Sequence, residues 1–246
     1  KRRDPKRFVV SVPQLPLTLR YPPDQRLDTF VHAPPGAVEQ LRALATSLVV
    51  PVDNVPLDNV YLAGPSGVGK THLLLGTCAA AESGGLRAAY LPLVAAAGRL
   101  RDALEALEGN DLIALDGLEA IAGNRDDEVA LFDTHNRARA AGIRLVYSAR
   151  DIPDAIGLGL PDLRSRLGQC SRITLALLDD EGRREVLRQR AQRRGLVLEE
   201  PALDWLLKRV GRDLGGLTTL LDHLDRASLA AQRRITVPFL RQTLGS

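Results

Sequence analysis

The sequence predicts an α/β domain with a parallel sheet, followed by a smaller all-α domain. Between residues 60 and 176, five short apolar runs alternate with helical patterns. Continuous apolar strands are typical of a parallel sheet that is covered on both faces. After residue 178 the strand-like runs stop and only helical patterns follow. We therefore expect an extended tail at 1–26, an α/β domain at 27–177 and a helical domain at 178–246.

Each predicted element has a local signal. The five strands are the runs VYLA, AAYL, LIAL, LVYS and ITLA, at residues 60–63, 88–91, 112–115, 145–148 and 173–176. The helices of the second domain are predicted at residues 181–195, 201–210, 213–232 and 237–244. Gly195 is a plausible C-terminal cap, and Pro201 suits the first turn of a helix.

The composition is typical of a folded globular protein. A chain of 246 residues with 45% hydrophobic content can bury a core. Its 33 basic and 30 acidic residues give a net charge of +3, which does not suit a polycationic nucleic-acid coat. Cys78 and Cys170 lie far apart without a metal-ligand pattern, so we expect reduced core residues. No apolar run approaches the roughly 18 residues that cross a bilayer, so we expect a cytoplasmic protein without membrane contact.

A phosphate-binding loop is the strongest motif. The stretch GPSGVGKT follows the first predicted strand and opens a helix, which is the setting a P-loop requires. Its backbone N–H groups can surround a phosphate, Lys70 can reach the terminal phosphates, and Thr71 can offer a hydroxyl to Mg²⁺. The predicted nucleotide-binding residues are Gly64, Pro65, Ser66, Gly67, Val68, Gly69, Lys70, Thr71 and the following His72.

The strand LIALD ends in a carboxylate that suits a metal. Asp116 can hold the Mg²⁺ water shell beside Thr71, although many buried strands end in Asp without a metal. The next residue, Gly117, has no side chain, so the water-activating base expected there is absent. Glu119 lies two residues further on, and we do not assign it that role. The motif therefore predicts a site that holds nucleotide better than it cleaves it.

Two other segments carry candidate polar groups. Ser148 ends the strand LVYS, where a small hydroxyl could meet a γ-phosphate. Arg164 and Arg166 lie in LGLPDLRSRL, beside a helical turn that begins with proline. An arginine there can supply charge to the nucleotide of a neighbouring subunit, although a lone surface arginine is usually only solvated.

In order, these motifs resemble the AAA+ ATPases, specifically the DnaA/Hda family of replication initiators and their regulators. The resemblance covers about residues 24 to 244 and includes LGLPDLRSRL, GRDLGGL and LDRASLAAQRRITVPFL. It implies an AAA+ P-loop domain with a five-stranded parallel sheet, a helical lid domain, and ADP or ATP with Mg²⁺. It places the arginine finger at Arg166, sensor 1 at Ser148 and sensor 2 at Arg212. It also places Leu27, Phe30 and Val31 near the adenine.

The same resemblance gives the tail a role. QLPLTL looks like the motif by which the regulators of this family bind the DNA polymerase III β sliding clamp, with Gln14, Leu15, Leu17 and Leu19 as contacts. An extended segment can place one amide and apolar side chains in a groove, and Pro16 lowers the entropy cost. Without the resemblance, so short a pattern is more typical of an unstructured tail than of a binding motif.

The leading hypothesis is a nucleotide-bound regulator that meets DNA through the loaded clamp and offers Arg166 to ATP on a DnaA-type initiator. Its own hydrolysis is expected to be weak or absent, and a monomer and a homo-oligomer both remain open. An initiator or loader ATPase acting at origin DNA is disfavoured, because the sequence ends at Ser246 after one helical module. Only 20 residues separate Leu91 from Leu112, which predicts a single helix where initiators have an extra one. A third alternative is a self-acting ATPase.

Overall fold

The computed structural model describes residues 21, 25–46, 59–209, 224 and 235–244. The predicted clamp-binding segment at residues 14–19, the lid residue Arg212 and nearly all of the predicted helix at 213–232 lie outside the described residues. Their proposed roles stay predictions.

A five-stranded parallel sheet forms the centre of the fold, as predicted. The strands are β1 Val60–Ala63, β2 Ala88–Pro92, β3 Leu112–Asp116, β4 Arg144–Ala149 and β5 Ser171–Thr174. Their order across the sheet is β2-β3-β4-β1-β5, and every neighbouring pair is parallel. The P-loop after β1 and Asp116 at the end of β3 therefore share one edge of the sheet, where ligands bind in open α/β folds.

Helices cover both faces of this sheet and then form the C-terminal part of the chain. The helices are α1 Ala37–Thr46, α2 Lys70–Ser83, α3 Leu93–Ala96, α4 Leu100–Glu105, α5 Arg125–Ala141, α6 Pro161–Gly168, α7 Asp180–Arg193, α8 Glu200–Arg209 and α9 Val237–Leu244. The prediction at 237–244 matches α9, while α7 and α8 each begin one residue earlier than predicted. Gly195 adopts a left-handed φ of 68° just after α7, as expected of a residue that ends a helix.

The expectation of a single helix between β2 and β3 is wrong, because α3 and α4 both lie there. Gly98 separates them with a φ of 81°. The buried carboxylate of Asp127 in α5 accepts hydrogen bonds from the backbone N–H groups of Gly98 at 2.6 Å and Leu100 at 3.0 Å. Asp127, which is distant in sequence, thus stabilises the boundary between α3 and α4. Local sequence patterns do not reveal such a contact.

The predicted position of the fifth strand is wrong by two residues, because β5 ends at Thr174 rather than at residue 176. The backbone N–H of Leu175 still donates to the carbonyl of Ala63 at 2.7 Å, but the chain then leaves the sheet. It passes so close to the start of the P-loop that a Cβ on Gly64 would collide with the carbonyl oxygen of Leu175. This approach requires glycine at position 64.

The apolar core consists of one cluster on each face of the sheet and further clusters among the C-terminal helices. Cys78 is fully buried and Cys170 partly buried, and both are free thiols that pack in the core, as expected. Burial raises the pKa of Cys78 to about 12, so its thiol is unreactive at neutral pH. Within the described ranges, no helix is long and apolar enough to cross a bilayer.

Candidate functional site

The P-loop holds its lysine against its own backbone. Lys70 is the first residue of α2 and is 9% exposed. Its ammonium group donates to the carbonyl of Gly64 at 2.6 Å and to that of Pro65 at 2.7 Å. Burial lowers the pKa of Lys70. The loop thus keeps a desolvated cation at the N-terminus of a helix, where an anion is stabilised by both charge and dipole.

A cavity of about 720 Å³ opens beside this loop. Four parts of the chain line it: the segment before α1, the P-loop, the end of β3, and the segment from β5 into α7. The polar side chains among them include Gln25, Thr29, His32, Ser66, Lys70, Thr71, His72, Asp116, Glu119, Thr174 and Arg190. The volume is that of a typical small-molecule site.

The aromatic ring of Phe30 forms one wall of the cavity and rests on the P-loop. Gly69 has a φ of 98°, and a Cβ there would lie 2.6 Å from Phe30 Cε2. Phe30 also meets His72 edge to face, with ring centroids 5.1 Å apart. The loop, the helix N-terminus, the buried ammonium group and the aromatic wall together fit a nucleotide, with its phosphates at Lys70 and its base on the apolar side.

A network of hydroxyl groups fixes Asp116. Thr71 and Tyr90 each donate a hydrogen bond to Asp116 Oδ2 at 2.7 Å. Ser148 donates to the other oxygen, Asp116 Oδ1, and accepts from the backbone N–H of Gly117 at 2.9 Å. The side chain of Ser148 is fully buried and does not line the cavity. In this arrangement Ser148 positions Asp116 rather than facing the place of a γ-phosphate.

Thr71 and Asp116 supply oxygen atoms that fit Mg²⁺. Mg²⁺ is usually held by one or two protein oxygens together with phosphate oxygens and waters. Among the residues that the structure describes, no cluster of three or more His, Cys, Asp or Glu side chains could hold a metal alone. The pair therefore fits a metal that is bound jointly with a nucleotide, for which the metal would neutralise phosphate charge.

The first lid helix, α7, reaches the P-loop helix through His72. Arg190 in α7 is 8% exposed, lines the cavity and donates to His72 Nδ1 at 3.3 Å. Because that nitrogen accepts, the other ring nitrogen carries the proton and donates to the carbonyl of Arg26 at 2.8 Å. His72 thus joins the lid, α2 and the segment before α1 at the nucleotide cavity.

The predicted arginine finger lies outside this cavity. Arg166 lies in the last turn of α6, and its side chain is partly exposed. Within the described ranges, no ion pair and no side-chain hydrogen bond holds its guanidinium. It does not line the cavity. Its neighbour Arg164 has a buried Nε atom with no hydrogen-bond partner among the described residues. Arg166 is therefore available to a group outside the chain.

A buried carboxylate fixes the start of α6. Glu128 is 1% exposed and accepts backbone hydrogen bonds from Gly123 at 2.7 Å, Gly159 at 2.9 Å and Leu160 at 2.6 Å. Since α6 begins at Pro161, Glu128 fixes the helix that carries Arg166. Leu160 is the N-cap residue of α6, so its contact with Glu128 satisfies a backbone N–H that a helix N-terminus leaves without a partner.

We expect Glu128→Gln to lower the free energy of unfolding by about 2–4 kcal/mol, because an amide turns a donor toward N–H groups that need an acceptor. Urea unfolding followed by circular dichroism measures the change. Asp126→Asn, an exposed change in the same helical turn, should stay within about 0.5 kcal/mol of the wild type. Equal effects of the two substitutions would show that the backbone contacts of Glu128 do not stabilise the fold.

A buried histidine lies between α5 and the sheet. His135 is 4% exposed, its Nδ1 lies 2.8 Å from the hydroxyl of Tyr147, and the two rings stack. Burial lowers the pKa of His135 to about 4, and the positive charges of Arg166 and Arg139 act in the same direction. The imidazole is therefore neutral in the folded chain at physiological pH.

Acid should destabilise the fold through this residue. Below pH 6.5, His135 binds a proton in the unfolded chain but stays neutral in the folded chain. The free energy of unfolding therefore falls as the pH drops from about 6.5 to 4. The contribution lost is up to about 3 kcal/mol. His135→Asn keeps a polar atom near Tyr147 but cannot titrate, so its urea midpoint should change less between pH 7 and 4.5. Parallel pH profiles of the two proteins would contradict the assignment.

Some of the remaining predicted residues line the cavity and others do not. It brings to the cavity Phe30, Val31 and the P-loop residues from Ser66 to His72. Leu27, predicted near the adenine, does not line the cavity; it is buried against Gly76 of α2. Gly64 and Pro65 contribute their carbonyl groups to Lys70.

Tyr90, Glu119 and Arg190 are among the site residues that were not predicted. Tyr90 reaches Asp116 from the neighbouring strand, and only knowledge of the strand order could have revealed this contact. Glu119 lines the cavity, although the sequence analysis did not assign it there. Arg190 is one of several arginines in α7, and no sequence signal distinguishes it from the others.

Comparisons with known proteins give one family match, to the C-terminal helices, and several structural neighbours. Residues 180–244 match the family model described as the lid domain of Hda. Domain III of the replication initiation protein DnaA from Thermotoga maritima has a TM-score of 0.73 at 20% sequence identity, over 93% of this chain and 100% of that chain. AMPPCP-bound DnaA from Aquifex aeolicus has a TM-score of 0.63 at 21% identity, over 82% and 66% of the two chains.

A further neighbour is the RuvB Holliday junction branch migration motor of Thermotoga maritima, with a TM-score of 0.63 at 21% identity, over 91% of this chain and 72% of that chain. These likenesses confirm the predicted fold class, an AAA+ P-loop domain with a five-stranded parallel sheet and a C-terminal helical lid. Residues 180–244 are thus similar to the lid domain of Hda, and the fold of the chain is similar to that of DnaA.

Proposed function

We propose that this chain is a nucleotide-bound regulator of chromosomal replication initiation, which binds the sliding clamp and stimulates ATP hydrolysis by a DnaA-type initiator in trans. Hydrolysis would inactivate the initiator, so the chain acts as a negative regulator. The observation that carries the proposal is the position of Arg166, which is partly exposed in α6, outside the cavity of its own chain.

The P-loop cavity supports the nucleotide part of the proposal. Lys70, Thr71 and Asp116 fit the phosphates and Mg²⁺, and the neighbouring DnaA structures include one bound to AMPPCP. We propose ADP as the resident nucleotide, with ATP as the alternative. By family resemblance, the tail residues Gln14 and Leu17 would bind the β clamp and bring the chain to DNA.

The test measures ATP hydrolysis by the initiator with clamp-loaded DNA, with and without this chain. We expect strong stimulation by the wild type, and loss of most of it in a Gln14→Ala, Leu17→Ala double variant that still binds nucleotide. No stimulation at any concentration of the wild type would reject the proposal. Stimulation that the double variant retains would reject only the role of the tail.

The alternative function is an ATP-dependent initiator or loader that acts at origin DNA. The occurrence of both α3 and α4 between β2 and β3 favours it, because the expected single helix had argued against it. A structural neighbour is a DnaA initiator bound to AMPPCP and single-stranded DNA. ATP-dependent binding of origin DNA by the purified chain without a clamp would support this alternative.

A further inference from the structure

The carboxylate of Glu119 lies beside the position that a side chain of residue 117 would take. Gly117 has a φ of 84° and begins a single helical turn, Leu118–Ala120, directly after β3. A Cβ added at Gly117 would lie 4.0 Å from Glu119 Oε1. Glu119 lines the same cavity as Lys70, Thr71 and Asp116. The site therefore has a second carboxylate, three residues after Asp116.

The charge of Glu119 acts on the phosphate-binding lysine. Burial lowers the pKa of Lys70, and the largest opposing influence is the negative charge of Glu119, followed by that of Asp116. Glu119 and Asp116 both line the cavity with Lys70, and the charges of both act on its ammonium group. A carboxylate in this position faces the end of the cavity where the terminal phosphates of a nucleotide would lie.

Arg150 holds both oxygens of this carboxylate. It directly follows β4, the neighbour of β3, and its Nε lies 3.1 Å from Glu119 Oε1. Its backbone N–H donates to Glu119 Oε2 at 3.3 Å. Arg150 thus occupies a position on each oxygen of Glu119 at which a water could otherwise bind.

The pair is also easy to separate. The side chain of Arg150 is 66% exposed, and that of Glu119 is 27% exposed. Exposed ion pairs of this kind contribute little to stability. A group that competes for Arg150 could therefore free the carboxylate without unfolding the site.

We propose that Glu119 is the water-activating carboxylate of the chain's own nucleotide site and that Arg150 restrains it. In the reaction, the oxygen of a water attacks the γ-phosphorus of a bound nucleoside triphosphate, and its proton passes to Glu119. The bond from that phosphorus to the β,γ-bridging oxygen breaks, which leaves a nucleoside diphosphate and inorganic phosphate. The inference rests on the nucleotide site of the proposed function and is independent of the clamp and the initiator.

The test uses the full chain alone, with four variants. Arg150→Ala and Arg150→Gln remove the restraint, Glu119→Gln removes the base, and Arg150→Ala with Glu119→Gln combines both. Arg87→Ala is the matched control, because Arg87 is an exposed arginine that pairs with Asp111 at 3.4 Å, outside the residues that line the cavity. Steady-state release of phosphate from ATP is measured for each protein.

We expect both Arg150 variants to hydrolyse ATP at least about tenfold faster than the wild type. This increase is smaller than the full rate acceleration that a general base typically contributes. Glu119→Gln and the double variant should stay at the background rate, and Arg87→Ala should match the wild type. Rates of the Arg150 variants equal to that of Arg87→Ala would overturn the restraint. A double variant as fast as Arg150→Ala would overturn the assignment of the base.

Nucleotide affinity gives a second readout that does not depend on turnover. Fluorescent ADP and a non-hydrolysable ATP analogue are titrated into each protein. Without Arg150, the negative charge of Glu119 repels the terminal phosphate, so Arg150→Ala should lower the affinity for the analogue about threefold or more relative to ADP. Glu119→Gln removes this charge and should raise the affinity for the analogue relative to ADP. Unchanged ratios would contradict the placement of Glu119. Absence of nucleotide binding by the wild type would instead reject the nucleotide part of the proposed function.

Discussion

Replacing Arg166 by alanine should lower stimulation of the initiator's ATP hydrolysis about a thousandfold or more, because an arginine supplied in trans typically contributes that much to phosphoryl transfer. Arg166 is partly exposed in α6, and no ion pair among the described residues competes for it. Truncation should therefore remove the charge given to the partner without disturbing the fold of its own chain. Rates of labelled phosphate release in a clamp-dependent assay give the measurement.

Two further variants make the Arg166 result specific. Arg166→Lys keeps the positive charge but loses the planar guanidinium with its paired N–H donors, so it should retain only a small part of the stimulation. Arg139→Ala removes an exposed arginine from α5 that, like Arg166, acts on His135, and it should leave the stimulation unchanged. A loss shared by Arg139→Ala would mean that general positive charge, and not Arg166, drives the effect.

Replacing Lys70 by alanine should lower the affinity for nucleotide about a hundredfold or more. The buried ammonium group, which the carbonyls of Gly64 and Pro65 hold in place, is available to phosphate oxygens, and hydrogen bonds to charged groups contribute about 1.5–3 kcal/mol each. Titration with fluorescent ADP measures the loss.

The control for Lys70 is Lys208→Ala, which removes an exposed lysine in α8. Its nucleotide affinity should equal that of the wild type. Thermal unfolding without nucleotide should be similar in all three proteins, which separates lost binding from lost folding. Wild-type affinity in Lys70→Ala would contradict the assignment of the cavity as a nucleotide site.

Local signals allowed most of the fold and the centre of the site to be predicted. The P-loop, the strand that ends in Asp116 and the switch to helices after β5 are each specified by neighbouring residues. The phosphate loop could be predicted because its glycines, lysine and threonine act within eight consecutive residues. The same holds for α9, whose bounds the sequence pattern predicted correctly.

The contacts that the sequence did not predict depend on tertiary structure. Asp127 separates α3 from α4 from a distant helix, and Tyr90 reaches Asp116 only because β2 lies beside β3. Glu119 lines the cavity from the short helical turn that follows Gly117, whose left-handed φ of 84° is readily adopted by glycine. Ser148 turns toward Asp116, which its place at a strand end does not determine.

The most direct test of the central claim follows ATP that is bound to the initiator before mixing. The initiator is loaded with γ-labelled ATP, freed of excess nucleotide, and mixed with this chain and clamp-loaded DNA in a single turnover. We predict rapid release of label with the wild type and with Glu119→Gln, which lacks the proposed base of the chain's own site, and release at the unstimulated rate with Arg166→Ala. Equally rapid release with Arg166→Ala would show that the guanidinium of Arg166 does not act on the nucleotide of the partner.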